Sequence, residues 1–599
     1  MRKHIFLLLI FIGLNSFAQT YTRYEISFDN RVHHEARIKV TFDNLENKVL
    51  EVRMSRSSPG RYAVHEFAKN VYAVKATDGN GNALTITRPN PHQWNIGDHE
   101  GKVVFEYTLY ANRGGGTYSG IDELHGHLNI PATFVWARNL GHRPVHLKIN
   151  IPEDSNWKVA TQLRDEGNNT FYAPDTYYFM DSPILIADLH MRERMIDGQK
   201  IRLALNTPAT DEEVDTYFEE VIKIVEQQKA VFGELPKFDF GEYTFLSNYM
   251  PNASGDGMEH RNSTFVVSSK PVSRPLGNTS MGTMSHEFFH AWNVERIRPA
   301  ALEPFDFEDA NMSGELWFAE GFTSYYTNLI RARSGNISKE QYVNGLGGAV
   351  NYVMNAPGRK FFNPIEMSYR APFVDAAASI DPTNNNNIFI SYYTYGSVIG
   401  LALDMSLRTM DNGLSLDGYM AHVWKTHGKP EIPYSVRDLE GRLAEYAGAD
   451  FAEEFFGKYI FQSQMPDYVS LFEKMGVSFD RTNAGRPKLG GSLRLRNGVA
   501  QLTSNAVIGS PLYNAGIERE DEIIAIAGVR MEDIDNLNLN EILAQFKPGN
   551  DIEISLNRWG EKLWKKVTLA EDMSRRTSWN QNADNAAEKR REDWLKKKE

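Results

Sequence analysis

The residues with the clearest chemistry in this chain are His286-Glu287-Phe288-Phe289-His290. On an α-helix, residues i and i+4 project from the same face, so both imidazole rings can reach one metal ion. Glu287 lies beside them, where its carboxylate can take a proton from metal-bound water. The same five residues also occur by chance in buried helices, so a third ligand is needed to separate a metal site from ordinary packing.

That third ligand must be an oxygen or nitrogen donor, because the chain contains no cysteine. One class of zinc peptidase has Gly and His where this chain has Asn293 and Arg296, so that class is excluded. A carboxylate from another helix remains. We favour Glu320, which lies in an otherwise apolar helical segment where an unpaired carboxylate would be costly to bury. The other acidic residues nearby are Glu295, Glu303, Asp306, Glu308, Asp309 and Glu315.

Two histidines and one carboxylate form the usual ligand set of a catalytic zinc site, with a fourth position open for water. We therefore expect one Zn²⁺ ion per chain, held by His286, His290 and Glu320.

The elements around this motif change in periodicity along the chain. Apolar residues alternate with polar ones in segments 36–42, 103–109 and 145–151, which predicts strands and an antiparallel β domain over residues 19–205. Near residue 210 the period becomes helical, beginning with a capping box formed by Thr210 and Glu213. We expect a mostly helical domain over residues 206–483, a further domain over 484–572, and a charged tail over 573–599 that forms a solvated helix or a frayed end.

The N-terminus and the overall composition limit the functional classes. A basic head, an apolar run from Ile5 to Leu14 and Ser16-Phe17-Ala18 predict a signal peptide over residues 1–18, hence an exported, periplasmic or secreted protein. No later segment is long and apolar enough to span a membrane. The net charge of the 599-residue chain is −12, which argues against nucleic-acid binding through global charge.

Longer runs around the histidines resemble a known family. Residues 286–299 and 317–326 are similar to the M61 glycyl aminopeptidases, zinc metallopeptidases related to thermolysin and to the M1 aminopeptidases. The resemblance implies a multidomain α+β fold: an N-terminal antiparallel β domain, a thermolysin-like, mostly α catalytic domain and a C-terminal PDZ domain. It also implies that Glu287 is the general base beside the zinc ligands.

The same resemblance points to a substrate cleft. Residues 255–260 are similar to a Gly-rich segment that lines the cleft in these families, which implies that Gly257 and Met258 contact the peptide and that Glu259 binds its free α-ammonium group. Asp256 departs from the family's usual double glycine. The segment 392–396 is similar to one in which a tyrosine three residues before a glycine donates to the oxyanion. Tyr393 matches that position, with Tyr392 and Tyr395 as alternatives.

The region from Gly509 to Gly528 resembles a bacterial-type PDZ core, with residues 489–493 as the candidate carboxylate-binding loop. A peptide or protein C-terminus is the partner this implies, and a purely structural PDZ domain is the alternative.

Taken together, the expected activity is that of an exported zinc aminopeptidase, which removes small N-terminal residues such as Gly and Ala from peptides with a free N-terminus. Two alternatives remain open from the sequence. One is a zinc endopeptidase in which Glu259 is structural, and the other is a PDZ peptide-binding protein with a structural zinc site.

Overall fold

The computed structural model of the chain describes residues 20–272, 280–374 and 383–598. The predicted signal peptide at residues 1–18 lies outside these ranges. Within them, no helix combines the length and the apolar character needed to cross a membrane.

Residues 22–187 form the N-terminal β domain, whose strands surround one apolar core. They are β1 (Thr22–Asn30), β2 (Glu35–Phe42), β3 (Leu50–Arg53), β4 (Val71–Thr77), β5 (Ile86–Asn90), β6 (Gln93–Ile96), β7 (Val103–Tyr110), β8 (Gly120–Ile121), β9 (His125–Leu128), β10 (Trp136–Ala137), β11 (Val145–Asn150), β12 (Lys158–Thr161), β13 (Arg164–Asp165), β14 (Thr170–Ala173) and β15 (Ile184–Ala187). Two short helices, α1 (Ile130–Thr133) and α2 (Thr176–Met180), interrupt them.

The strands form a seven-stranded sheet in the order β13-β14-β11-β1-β2-β7-β4 and two four-stranded sheets, β10-β3-β6-β5 and β12-β15-β9-β8. The predicted alternation is confirmed: the apolar residues of β2 and β7 face the core and the polar residues face outwards. Pairing is antiparallel as predicted, except that β1 and β11 run parallel.

The second domain, called the catalytic domain below because of the family resemblance, contains strands from before the predicted boundary at residue 205. Strands β16 (His190–Ile196) and β17 (Gln199–Asn206) belong to its sheet, with β18 (Glu242–Tyr249), β19 (Asp256–His260) and β20 (Ser263–Ser268), in the order β16-β17-β18-β20-β19. The reason is a β-α-β unit, in which β17 pairs parallel with β18 through helix α3 (Asp211–Phe232). The change of period at residue 210 therefore marks a helix within the domain. Thr210 and Glu213 form the predicted capping box.

Helices make up the rest of the catalytic domain. They are α4 (Met281–Phe289), α5 (Leu316–Ser334), α6 (Lys339–Asn355), α7 (Pro364–Ser368), α8 (Ala371–Val374), α9 (Asn385–Ile388), α10 (Tyr392–Arg408), α11 (Leu416–Val423), α12 (Val436–Ala447), α13 (Ala449–Tyr459) and α14 (Tyr468–Lys474). Helices α4, α5 and α10 contribute to the largest apolar core of the chain, together with the inner face of the sheet.

A separate apolar core defines a C-terminal β domain. Its elements are β22 (Pro487–Lys488), β23 (Leu493–Arg496), β24 (Val499–Leu502), α15 (Pro511–Asn514), β25 (Glu522–Ile526), β26 (Val529–Arg530), α16 (Leu539–Ile542), β27 (Asp551–Arg558), β28 (Glu561–Thr568) and β29 (Ala570–Glu571), preceded by β21 (Val477–Arg481). Asn387 of the catalytic domain donates to Ala506 O and accepts from Ile508 N, which fixes one contact between the two domains.

The charged tail over residues 573–599 was predicted to form a solvated helix or a frayed end; residues 585–595 do form a helix, but the tail is docked and not solvated. Strand β30 (Arg575–Trp579) pairs with β21, and helix α17 (Asn585–Leu595) packs on the catalytic domain. Trp594 is completely buried, its indole N–H donates to Tyr325, and its carbonyl accepts from Arg333. The docking could not be predicted because two apolar anchors, Trp594 and Leu595, are enough to hold a helix in which six of eleven residues are charged.

Candidate metal centre and substrate cleft

Helix α4 brings the first two predicted ligands together. It is buried on its Met284 and Phe288 side, and this orients the opposite face, with His286 and His290, towards α5. The centres of the two imidazole rings lie 4.8 Å apart. The i, i+4 argument from the sequence is therefore confirmed in its geometry.

Glu320 on α5 completes the group. Its Oε2 atom lies 3.3 Å from His286 Nε2 and 3.2 Å from His290 Nε2, and the side chain is 2% exposed. One ligand atom from each of the three residues lies within 4.8 Å of the other two. The other acidic residues considered from the sequence have other partners: Arg298 for Glu295 and Glu303, Arg138 for Glu308, a serine hydroxyl for Glu315, and backbone N–H groups for Asp306 and Asp309.

The outer nitrogens of both imidazoles have acceptors, which leaves the inner nitrogens free to bind a metal. His290 Nδ1–H donates to the carbonyl of Asn293 at 2.6 Å. His286 Nδ1–H donates to the Thr327 hydroxyl at 3.2 Å, and that hydroxyl donates onward to the carbonyl of Thr323. Such outer bonds fix the ring orientation and the tautomer of metal-binding histidines.

The electrostatics of the site also favour a cation. Burial raises the pKa values of Glu259 and Glu287, and the neighbouring carboxylates raise that of Glu287 further. Burial alone would lower the pKa of His290, but Glu320 and Glu259 raise it to about 10. A divalent cation at this point would supply the positive charge that three converging carboxylates require. The residues present therefore fit a zinc ion.

Glu287 lies next to these ligands and is 5% exposed. One of its carboxylate oxygens belongs to a second group of converging atoms, with Glu259 and His290, within 4.8 Å of one another. Gly257 of β19 packs directly against it, and a side chain at position 257 would overlap the Glu287 carboxylate and the Thr283 methyl group. The absence of a side chain at residue 257 therefore makes room for the carboxylate.

Strand β19 lies at one edge of the catalytic sheet and carries Gly257, Met258 and Glu259. Glu259 is 6% exposed and points towards the metal ligands, as its position in the second group shows. Asp256, which breaks the family's double glycine, forms an ion pair with Arg61, and Arg61 also donates to the carbonyl of Gly257 at 3.1 Å. The departure from the pattern therefore has a partner in the N-terminal domain.

Two glycines allow α5 and α10 to approach closely. A side chain on Gly321 would overlap the backbone of Gly396, and one on Gly396 would overlap the Trp317 carbonyl. This contact brings the beginning of α10 to the metal ligands. The ring of Tyr393 lies 5.9 Å from that of His286, between centroids, and is half-buried.

The two alternative tyrosines are placed differently. Tyr392 is buried and packs edge-on against Tyr62, with ring centres 6.0 Å apart. Tyr395 is also buried, and its pKa is raised to about 12 by burial, with Arg359 as its charged neighbour. Tyr393 is therefore the tyrosine of the three whose ring contacts a metal-ligand histidine.

One residue of the site was not predicted from the sequence. Tyr62 comes from the loop between β3 and β4, is 4% exposed, and donates its hydroxyl to Glu320 Oε1 at 2.5 Å. The same loop places Gly60, which has a φ of +75°, against Met258 and Glu259. A Cβ atom added at residue 60 would lie 3.1 Å from Glu259 Oε2. The only signal in the sequence is the Pro59-Gly60 turn, which says nothing about a site 258 residues away.

The comparisons with known proteins agree with this architecture. Residues 23–188 match the model of the Peptidase M61 N-terminal domain, and residues 279–399 match that of M61 glycyl aminopeptidase. No curated protein matches the sequence significantly.

Among solved structures, an aminopeptidase N family protein from Idiomarina loihiensis superposes with a TM-score of 0.83 at 25% identity, over 96% of this chain and 100% of that one. Two further structures are more distant. An M1 zinc metallopeptidase from Deinococcus radiodurans has a TM-score of 0.43 at 14% identity, over 75% of this chain and 95% of that one. The leukotriene A4 hydrolase of Saccharomyces cerevisiae has a TM-score of 0.44 at 14% identity, over 76% of this chain and 70% of that one. Models of both M61 domains therefore match this chain in order, and the chain shares the fold of the Idiomarina loihiensis protein along nearly its whole length.

Proposed function

We propose that this protein is an exported zinc aminopeptidase that removes small N-terminal residues, Gly and Ala above all, from peptides. The observation that carries the proposal is the convergence of Glu259, Glu287 and His290, whose ligand atoms lie within 4.8 Å of one another. A carboxylate that binds the substrate's ammonium group this close to the general base leaves room for one residue between them. This spacing favours an exopeptidase.

His286, His290 and Glu320 would hold one zinc ion per chain, which would act as a Lewis acid that lowers the pKa of water and polarises the scissile carbonyl. Glu287 takes a proton from the attacking water on its carboxylate and delivers it to the nitrogen of the leaving amine. The Tyr393 hydroxyl donates to the oxygen that becomes negative when water adds to the carbonyl carbon. Gly257 and Met258 hold the substrate backbone along the edge of β19.

Glu259 selects a free N-terminus through a charge-assisted hydrogen bond to the α-ammonium group. The preference for small first residues comes from the family resemblance, and the surroundings of Glu259 support it. The Gly60 turn packs against Glu259 and Met258, and the rings of Tyr62 and Tyr392 contact each other beside Glu320. We infer that these groups limit the size of the first side chain.

The test is hydrolysis of a panel of aminoacyl substrates, each free or N-acetylated, before and after chelation of the metal. Turnover of free amines alone, and only with metal, supports the proposal. Equal cleavage of the acetylated substrates would instead support an endopeptidase in which Glu259 is structural. A zinc-binding chain that cleaves neither would support a PDZ binding protein with a structural zinc site.

We also propose that the C-terminal β domain is a PDZ domain that binds the C-terminus of a peptide or protein. Its loop at residues 489–493 precedes the edge strand β23, where an added peptide strand could pair. Calorimetric titration of the full chain with C-terminal peptides and their amides tests this. Export, to the periplasm or the medium, is tested by the N-terminus of the mature protein, expected at Gln19.

A further inference from the structure

A cavity of about 570 Å³ lies where the N-terminal β domain meets the beginning of β19. Its walls come from His65 and the segment 112–118 of the N-terminal domain and from the segment 252–256 of the catalytic domain. Asp256 belongs both to this wall and to β19, so the cavity continues the strand that carries Glu259. None of the metal ligands lines it.

The order of residues along β19 fixes which part of a substrate would reach this cavity. In the proposed function Glu259 binds the ammonium group. Gly257 lies beside Glu287, and Asp256 is the first residue of the strand. A peptide with its first carbonyl next to Glu287 must therefore extend its leaving portion past Gly257 towards Asp256. At about 3.3 Å per residue, Asp256 is roughly 10 Å from Glu259, the length of about three extended residues. The cavity is therefore in position for the second and third residues of the substrate.

The charge around the cavity is positive, in contrast to the net charge of −12 for the whole chain. Lys69 and Arg113 lie over the ring of Tyr118, which lines the cavity, at 5.1 and 5.4 Å from its centre. In the part of the chain that the structure describes, no carboxylate lies within 4 Å of either cation. Arg61 already pairs with Asp256. Two positive charges therefore remain for a ligand.

A buried histidine adds a polar group to the same wall. His65 is 5% exposed, and its Nε2 atom has no hydrogen-bond partner among the described residues. Burial, together with Arg61 and Lys69, lowers the pKa of His65 to about 4, so the ring is neutral at pH 7. Buried polar atoms without a partner are uncommon in folded proteins, and a bound ligand is one of the groups that can provide the partner.

We propose that this cavity is the subsite for the leaving part of the substrate and that it binds a carboxylate two or three residues from the N-terminus, with Arg113 and Lys69 as its cations. The inference rests on the aminopeptidase function proposed above. The carboxylate is either the C-terminus of a dipeptide or tripeptide, or an acidic side chain at the second or third position. The preferred substrates are therefore short or acidic peptides.

The test compares kcat/KM for Ala-Ala-Ala with a free C-terminus and for its C-terminal amide. We expect a preference of about tenfold for the free acid, the equivalent of roughly 1.4 kcal/mol. Arg113→Gln should reduce that preference to about twofold. The matched control, Arg88→Gln, changes an exposed arginine of the same domain that lies over the ring of Trp94, and it should preserve the preference. Alaninamide, whose leaving group is ammonia and does not reach the cavity, measures the basal hydrolysis of each protein.

A second pair, Ala-Glu-Ala amide and Ala-Gln-Ala amide, separates the two sources of the carboxylate. If only the first pair shows a preference, the cavity binds the C-terminal carboxylate of the peptide. If Ala-Glu-Ala amide is also preferred over Ala-Gln-Ala amide, the cavity binds acidic side chains as well. Equal rates in both pairs, or a preference that Arg113→Gln leaves intact, would overturn the inference. Hydrolysis of alaninamide by the wild-type protein tests the proposed function separately. If no free amine is hydrolysed at all, the inference can still be tested by calorimetric binding of Ala-Ala-Ala and its C-terminal amide to the Glu287→Gln variant. Equal affinities for the two peptides would contradict a carboxylate site.

Discussion

Replacing Tyr62 by phenylalanine removes one hydroxyl group that donates to Glu320 Oε1 at 2.5 Å. The rest of the ring and its edge-on contact with Tyr392 remain. Glu320 is 2% exposed, so water cannot easily replace the lost donor. We expect the variant to bind zinc more weakly, because Glu320 Oε1 loses the bond that keeps Oε2 directed at the two histidines.

The magnitude follows from the chemistry of the bond. A hydrogen bond to a charged group contributes about 1.5–3 kcal/mol, and each 1.4 kcal/mol is a factor of ten in affinity. Removal of a donor also makes the carboxylate more basic, which favours metal binding. Loss of outer-shell partners nevertheless costs metal sites about 10- to 100-fold, so orientation outweighs basicity. We expect the zinc Kd to rise by about 10- to 100-fold.

The assay is competition between the protein and a chelator of known zinc affinity, supported by the zinc-dependent shift in the thermal midpoint. Tyr72→Phe is the matched control, because it removes a tyrosine-to-glutamate hydrogen bond, to Glu35, on the exposed surface of the same domain. The control should bind zinc like the wild type. A zinc Kd for Tyr62→Phe within twofold of the control would refute the role assigned to Tyr62.

Four further outcomes follow from the structure. Glu287→Gln should retain zinc and lose hydrolysis, whereas normal turnover in steady-state kinetics would rule out a general base at this position. Gly257→Ala should lower kcat about 100-fold, because its methyl group displaces the Glu287 carboxylate, and unchanged kcat would contradict that contact. Trp594→Ala should lower the free energy of unfolding in denaturant by about 3–5 kcal/mol, against less than about 0.5 kcal/mol for Trp559→Ala, whose side chain is 87% exposed. The pKa of His65 is about 4 in the folded state and about 6.5 in the unfolded state, so the free energy of unfolding falls as the pH falls from 6.5 to 4. His65→Gln should remove up to about 3 kcal/mol of that loss. Identical dependence of the free energy of unfolding on pH in the variant and the wild type would contradict this prediction.

The metal centre could be predicted because its ligands are placed by short-range rules. His286 and His290 share a helix face through their spacing alone, and the cost of burying Glu320 in an apolar helix identifies it as a partner. The capping box and the strand alternation of the N-terminal domain are likewise local, and the structure bears them out.

Long-range contacts could not be predicted in the same way. Tyr62 reaches Glu320 across a domain interface, and Arg61 explains Asp256 only when the two loops are seen together. The domain boundary was predicted at the change in hydrophobic period, but the sheet to which a strand belongs depends on its pairing partner. Strand β17 pairs with β18, and the paired residues Leu203 and Phe245 are 42 positions apart in the sequence. Helix α17 was expected in solvent because it contains more charged residues than large apolar ones.

The pairing of β21 with β30 has a consequence for how the C-terminal β domain can be handled experimentally. Because the strands on either side of that domain hydrogen-bond to each other, it is an insertion into the catalytic domain, with its entry and exit adjacent. A stop codon before residue 484 would therefore also remove β30 and α17, and with them the Trp594 side chain from the catalytic core. The domain is better deleted by joining β21 to β30 through a short turn, and such a protein separates the contribution of peptide capture from that of catalysis.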